Sequence, residues 1–174
     1  MIKLYKKQQD TILYWETWED GKEITVHYGI LGDIGKNDSY RKNKEYRQFV
    51  KKEVALRRSE GYVEQDEDSL ASITIKFEIE GWGSDNDLKK RHKIEDLMDE
   101  CLGWTGLGHC DGGEIGSGGM SICCLVVEPY IALAPICQEL KKHNYLEGAT
   151  IILDPKEDED DFKVLWPNNL EGAS

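Results

Sequence analysis

Apolar residues recur with two different periods in the first third of the chain, and the change predicts strands followed by one helix. Residues 12–18 are rich in β-forming side chains, Asp20-Gly21 is a hairpin signal, and residues 24–28 alternate with period two. Helical three- and four-residue spacing follows in Tyr46, Phe49, Val50 and Val54. Gly61 is a suitable helix end.

The remaining two thirds alternate between strand-like and helix-like patterns. We expect strands at 73–80, 120–127 and 149–153, a further strand and hairpin in the glycine-rich run 106–119, and an edge strand at 162–166. Helices are expected from Asp87, as the cap, to about Leu102, and after Pro129. The order β-α-β-β-α-β is that of the ferredoxin-like split βαβ sandwich.

A polar, acidic run at 64–69 separates the two patterns and is typical of a linker. We therefore predict an α+β protein with a first domain at 1–66 and a second at 67–174. The net charge of −12 is uneven: residues 1–66 carry 13 Lys and Arg against 12 Asp and Glu, whereas the rest carry 9 against 22. The acidic half is either a solvated surface or a surface for a basic partner.

Targeting signals and reactive motifs are absent from the sequence pattern. No apolar stretch approaches the roughly 20 residues of a membrane span, and the N-terminus lacks an apolar signal region. We therefore expect a cytoplasmic protein with no membrane partner. The five cysteines lack zinc-ligand spacing, so we expect reduced thiols that mostly fill the core, with no metal and no cofactor.

The first domain resembles the WGR family over about residues 3–63. The resemblance is carried by 14–16 (Tyr-Trp-Glu), by 27–35 with its Gly-x-x-Gly turn, by Phe49 and by Gly61-Tyr62. WGR domains occur in poly(ADP-ribose) polymerases and bacterial regulators and are proposed to bind nucleic acid. The resemblance therefore implies an antiparallel sheet with one helix and a nucleic-acid-binding role. The second domain is similar to small ferredoxin-like domains of bacterial proteins.

The family's Trp-Gly-Arg tripeptide is altered here. Tyr28 takes the place of the Trp, Gly29 is kept, and Ile30 replaces the Arg. Tyr28 retains a ring that can stack on a base or sugar. Ile30 cannot supply the forked cation that binds phosphate. The resemblance thus predicts the fold more firmly than the activity.

Basic residues are concentrated between Lys36 and Arg58, where nine Lys and Arg face three acidic residues. Such a stretch can follow a phosphate backbone. It is equally the pattern of a solvated helix face, or of a surface that packs on the acidic half. The predicted contacts to nucleic acid or a protein partner are Tyr28, Lys36, Arg41, Lys42, Lys44 and Lys51.

Three features that suggest other chemistry have simpler interpretations. The glycine-rich run lacks the Lys and following helix of a phosphate-binding loop, so a hairpin is favoured. His109, Cys110 and Asp111 are adjacent, whereas catalytic side chains usually converge from distant positions. The acidic run 157–161 lacks the spaced ligands of an EF-hand and is expected to be a solvated loop. Trp82 is expected to pack, although an exposed Trp would mark a binding anchor.

These observations favour a non-enzymatic bacterial binding protein with a WGR-like module and an acidic interaction domain. The alternative is an immunity protein that neutralises a basic toxin by direct binding, because an acidic surface can mask a basic nuclease. A third hypothesis is that the protein is an enzyme, since ferredoxin-like folds host many chemistries.

Overall fold

The computed structural model describes residues 1–155 and 161–167, which form a mixed α+β fold with two antiparallel sheets and three α-helices. The chain divides into two units. The first comprises Met1–Ser69 together with Trp104–Gly106, and the second comprises Leu70–Gly103 and the residues from Leu107 onward. Within the described residues, no helix is both long and apolar enough to span a bilayer.

The first unit is a four-stranded meander with one helix. Its strands are β1 (Ile2–Gln8), β2 (Thr11–Asp20), β3 (Glu23–Ile30) and β4 (Lys36–Arg41), paired in chain order. Helix α1 (Lys44–Ser59) follows, and the Asn43 side chain accepts a hydrogen bond from the Tyr46 N–H at 2.8 Å. The predicted helix end is confirmed, because Gly61 has a φ of 92° just beyond it.

The Asp20-Gly21 hairpin is confirmed and fixes the register of β2 against β3. Asp20 pairs with Glu23, and Gly21 in the two-residue turn has a φ of 52°. Continuing this register places Glu16 opposite His27 and Trp15 opposite Tyr28. Side chains on one face meet α1 and form a core of Leu4, Trp15, Val26 and Val54.

The second unit has a five-stranded sheet and two helices. In chain order its elements are β5 (Ala71–Glu78), α2 (Asp85–Trp104), β6 (Gly108–Gly116), β7 (Gly119–Val126), α3 (Pro129–Lys142), β8 (Ala149–Leu153) and β9 (Lys163–Trp166). The strands lie in the order β6-β7-β5-β8-β9, and every neighbouring pair is antiparallel. The predicted glycine-rich hairpin and edge strand are confirmed.

The core of the second unit is formed by alternating apolar residues of the sheet and by the helices. On β7 every second side chain is buried, namely Met120, Ile122, Cys124 and Val126. Ile75 of the central strand and Ile136 of α3 are fully buried. Ser121 and Cys123, which alternate with the buried set, lie on the opposite face of the sheet.

One prediction about local structure was wrong, and two strands were not predicted. Helix α2 begins before Asp87: the Ser84 hydroxyl accepts from the Asp87 N–H at 3.3 Å, while the Asp87 carboxylate accepts from the Ser84 N–H at 2.8 Å. Serine therefore caps the helix. Hydrogen bonds donated by the Ser84 hydroxyl and then by the Ser84 N–H to the Asp87 carboxylate hold the Asp87 pKa below its ordinary value. Strands β1 and β4 were not predicted. Strand β4 carries mostly polar side chains, so no apolar alternation marks it in the sequence, and backbone pairing with β3 stabilises it.

Candidate binding surfaces

A groove of about 540 Å³ runs beside helix α1 in the first unit. Its lining includes the aromatic rings of Tyr28 on β3, Tyr40 on β4, Phe49 on α1 and Tyr62 after the helix, together with the charged side chains of Asp38, Glu53 and Arg57. Tyr28 is 38% exposed and Phe49 is 43% exposed, so both rings are available to a bound molecule. Planar aromatic surfaces of this kind accept bases by stacking.

One predicted cation lies directly beside the groove. Lys36 pairs with Tyr28 across β3 and β4, so the two side chains project from the same face of the sheet. Ile30, two residues further along β3, is 44% exposed and also lines the groove. The neighbouring strand therefore provides a positive charge beside the exposed side chains of β3.

The other predicted contacts do not form a single patch around Tyr28. Arg41 lies five positions after Lys36 on β4. Because side chains alternate between the two faces of a strand, this odd spacing places Arg41 on the opposite face from Lys36. Lys44 and Lys51 are two turns apart on α1 and form a stripe along the helix. Lys42 is held in an ion pair with Glu19.

Ion pairs neutralise nearly half of the basic stretch. Glu19 binds Arg47 and Lys42, and these hydrogen bonds hold the pKa of its carboxyl below the ordinary value. Arg57 pairs with Glu53 and Glu60, and Arg58 pairs with Glu64. The other five basic residues between Lys36 and Arg58 make no ion pair with any described residue. They are Lys36, Arg41, Lys44, Lys51 and Lys52.

A buried hydrogen-bonded network on the other face of the first sheet was not predicted. His27 is 0% exposed and lies between Glu16 and Tyr14, with Nδ1 2.7 Å from Glu16 Oε1 and Nε2 3.1 Å from Tyr14 Oη. The Nδ1–H donates to the carboxylate, and in the neutral imidazole Nε2 then accepts from the Tyr14 O–H. Lys3 Nζ lies 3.5 Å from the second Glu16 oxygen.

This network has the order of a catalytic relay but lies away from solvent. Burial first, and then the Glu16 charge, raise the pKa of Tyr14 well above its ordinary value, so its hydroxyl keeps its proton. Tyr14 is itself only 2% exposed. The three side chains therefore satisfy one another inside the fold, as buried polar groups must.

Gly29 and Gly35 make room for this network. A Cβ on Gly35 would lie 2.0 Å from Tyr14 Oη and 2.6 Å from His27 Nε2. A Cβ on Gly29 would lie 3.0 Å from the Gly35 Cα. Close approach of the 32–35 turn to the network thus requires both glycines.

A second cavity, of about 1170 Å³, lies in the second unit at one end of its sheet. Trp82 and Phe162 line it and are 81% and 57% exposed, so the expectation that Trp82 packs inside was wrong. Three carboxylates and one lysine also line the cavity: Glu78, Glu114, Glu147 and Lys76. The surroundings of the exposed rings are therefore acidic.

The glycine-rich run forms the β6–β7 hairpin, which borders this cavity. Its turn contains Ser117 with a φ of 47° and Gly118 with a φ of 85°. The register shifts between Cys110 and Gly112, so Asp111 is a bulge on an edge strand. His109 and Cys110 are successive residues of β6 and are not brought together as a catalytic pair.

In the described ranges, no three His, Cys, Asp or Glu side chains are placed to hold a metal ion. Most of the acidic run 157–161 lies outside the described residues. Comparison with known proteins gave no matching family model, no matching curated protein and no matching solved structure.

Proposed function

We propose that this is a non-enzymatic, cytoplasmic binding protein whose first unit is WGR-like and contacts single-stranded nucleic acid through the groove around Tyr28. The observation that carries the proposal is an exposed aromatic groove with an unpaired lysine beside it, Tyr28 with Lys36. Single-strand binding combines stacking rings with cations that follow the backbone.

The topology supports the two fold assignments behind this proposal. In the first unit, a meander sheet carries one helix on one face, as a WGR-like domain requires. In the second unit, β8-β5-β7-β6 has the fourth, first, third and second strands of a βαββαβ chain side by side. That order is expected for a ferredoxin-like sandwich, with β9 added at the edge.

Charge distribution supports the placement of the nucleic-acid site on the first unit. The acidic excess lies in the second half of the chain, and residues 1–66 are nearly neutral. Lys44 and Lys51 extend the positive surface along α1 beyond the groove. Each lysine that contacts a phosphate adds a salt-dependent contribution, whereas the ring contributes through stacking.

The test is fluorescence anisotropy of labelled single-stranded DNA and RNA of about 10 nucleotides, a length within single-strand site sizes, titrated with the full-length protein. Tyr28→Ala should weaken binding by between about fivefold and about 150-fold, since stacking contributes about 1–3 kcal/mol per base. Lys36→Gln should also make the plot of the logarithm of the association constant against the logarithm of the salt concentration less steep, by about 0.7 in slope. Tyr130→Ala is the matched control, because Tyr130 is exposed on α3 of the other unit. Absence of binding at low salt would refute the proposal.

A second candidate function is the neutralisation of a basic protein, such as a toxin, by the second unit. The specific observation is the acidic cavity with the exposed rings of Trp82 and Phe162. Arginine and lysine side chains bind to such surfaces by ion pairing and by packing over the rings. Exposed tryptophan is also a frequent anchor of protein interfaces.

This second candidate is tested with a toxin encoded beside the gene. Wild-type protein should protect cells from that toxin and bind it in vitro, whereas Trp82→Ala should lose affinity without loss of folding. Tyr28→Ala should protect as well as wild type. Protection that depends on Tyr28 and not on Trp82 would place the contact on the first unit instead.

A further inference from the structure

Cys110 and Cys124 are directly opposite each other on neighbouring strands of the second unit. They are Cα partners in the β6–β7 ladder, immediately before the bulge at Asp111. Directly opposed residues of an antiparallel pair have Cα atoms about 4.5–5.5 Å apart. A disulfide requires about 4.4–6.8 Å, so the ladder already sets the spacing that a bond needs.

The two thiols also interact. No disulfide joins any of the five cysteines, all of which lie in the described residues, and a hydrogen bond links the Cys110 and Cys124 thiols. That hydrogen bond lowers the pKa of Cys110 and raises the pKa of Cys124, so Cys110 is the thiol that ionises first and then accepts from the Cys124 S–H. Before it ionises, the Cys110 S–H donates to the Gly112 carbonyl oxygen at 3.9 Å. Burial, and then Glu95 and Asp99 of α2, oppose ionisation of Cys110, and each effect is smaller than that of the hydrogen bond.

Access differs between the two thiols. Cys110 is half-buried on β6, which is an edge strand, whereas Cys124 is fully buried on β7. A small oxidant therefore reaches Cys110 first, and Cys124 lies behind it as the nearest second thiol. This is the arrangement of an attacking and a resolving cysteine.

We propose that Cys110 and Cys124 form a reversible dithiol–disulfide site that reacts with small-molecule disulfides of the glutathione class. The Cys110 thiolate attacks one sulfur of the disulfide, forms a mixed disulfide and releases the first small thiolate. Cys124 gives its proton to that thiolate, attacks Cys110 Sγ and releases the second small thiolate, which takes up the proton that Cys110 gave to solvent when it ionised. Two protein thiols are oxidised, and one small disulfide is reduced to two thiols.

The other cysteines serve as matched controls. Cys123 is adjacent to Cys124 in sequence, but it lies on the opposite face of β7, with its sulfur 3.5 Å from Ser72 Oγ. Burial raises the pKa of Cys101 to about 11, and burial also raises the pKa of Cys137. These three thiols are therefore poorer nucleophiles at neutral pH than Cys110.

The test treats reduced, folded, full-length protein with oxidised glutathione and maps the linked peptides by mass spectrometry. All five cysteines lie between Lys93 and Lys141, so trypsin leaves them on one peptide. Cleavage after Glu114 separates Cys110 from Cys124, and their fragments stay together only through a disulfide.

The expected result is a single link, unchanged in Cys101→Ser and Cys123→Ser and lost in Cys110→Ser. Cys124→Ala should stop at glutathione on Cys110, which also shows that the variant keeps a reactive Cys110. In urea the wild-type protein should lose this selectivity and give several links. A native wild-type protein that takes up glutathione on Cys110 without forming the link, that links other cysteines or that does not react would overturn the proposal.

Discussion

The first sheet pairs only strands that follow one another along the chain, whereas the second also pairs its central strand β5 with β7 and β8, from which helices separate it in sequence. In the first unit, one face is covered by α1 over a small core that includes Trp15, and the other contains the buried Tyr14–His27–Glu16 network. In the second unit, the buried face is almost wholly aliphatic and sulfur-bearing. A meander is specified by its turns, and a buried polar network adds strict geometric requirements to it.

The largest difference in stability between the two units is expected when one tryptophan of each is replaced by alanine. Trp15→Ala should lower the free energy of unfolding by about 3–5 kcal/mol, because it removes the largest buried side chain of the first core. Trp82→Ala should change it by less than about 0.5 kcal/mol, since that ring is 81% exposed. Urea unfolding followed by circular dichroism measures both. Similar losses for the two variants would mean that the first core does not depend on Trp15.

A smaller effect should come from the buried network, which has no counterpart among the described residues on the buried face of the second sheet. Glu16→Ala leaves His27 Nδ1 without its acceptor, and burying an unpaired polar group costs about 1–3 kcal/mol. Glu16→Gln keeps an acceptor oxygen and should cost less. The same urea experiment compares them. If the two variants are equally stable, the hydrogen bond to His27 contributes little.

The smallest effect is expected at the surface ion pairs of Glu19. Because Lys42 and Arg47 lower its pKa, the stabilisation is fully present above the ordinary value of 4.5 and is lost as the pH falls through the lower folded value. Glu19→Gln should therefore be less stable than wild type at neutral pH and indistinguishable from it in acid. High salt should shrink the neutral-pH difference. A difference that persists in acid would point to packing of the Glu19 stem instead.

Local patterns were sufficient to predict much of the secondary structure. Residues 149–153 form a strand with the predicted bounds, and helix α3 begins at Pro129. These elements carry strong local signals, β-branched residues in one and a proline at the helix start in the other. Strand β4 has no such signal, because a polar edge strand is stabilised by backbone pairing that sequence periodicity does not report.

The buried network could have been derived from the sequence, although we did not predict it. A two-residue turn after Asp20 fixes Asp20 opposite Glu23, and counting back along both strands places Glu16 opposite His27. Tyr14 then follows on the same face, two residues away. The pairing of Cys110 with Cys124 could not be derived in this way, because the bulge at Asp111 shifts the register between them and the turn.

Strand β4 also affects how the protein behaves in concentrated solution. It pairs with β3 on one side only, so its other backbone edge offers unpaired N–H and C=O groups to a second chain. Lys36, Asp38 and Arg41 line this edge and make the addition of another strand unfavourable. Charges proposed for ligand contact thus also act against self-association. Replacing them with apolar residues should yield a protein that aggregates before it loses its fold.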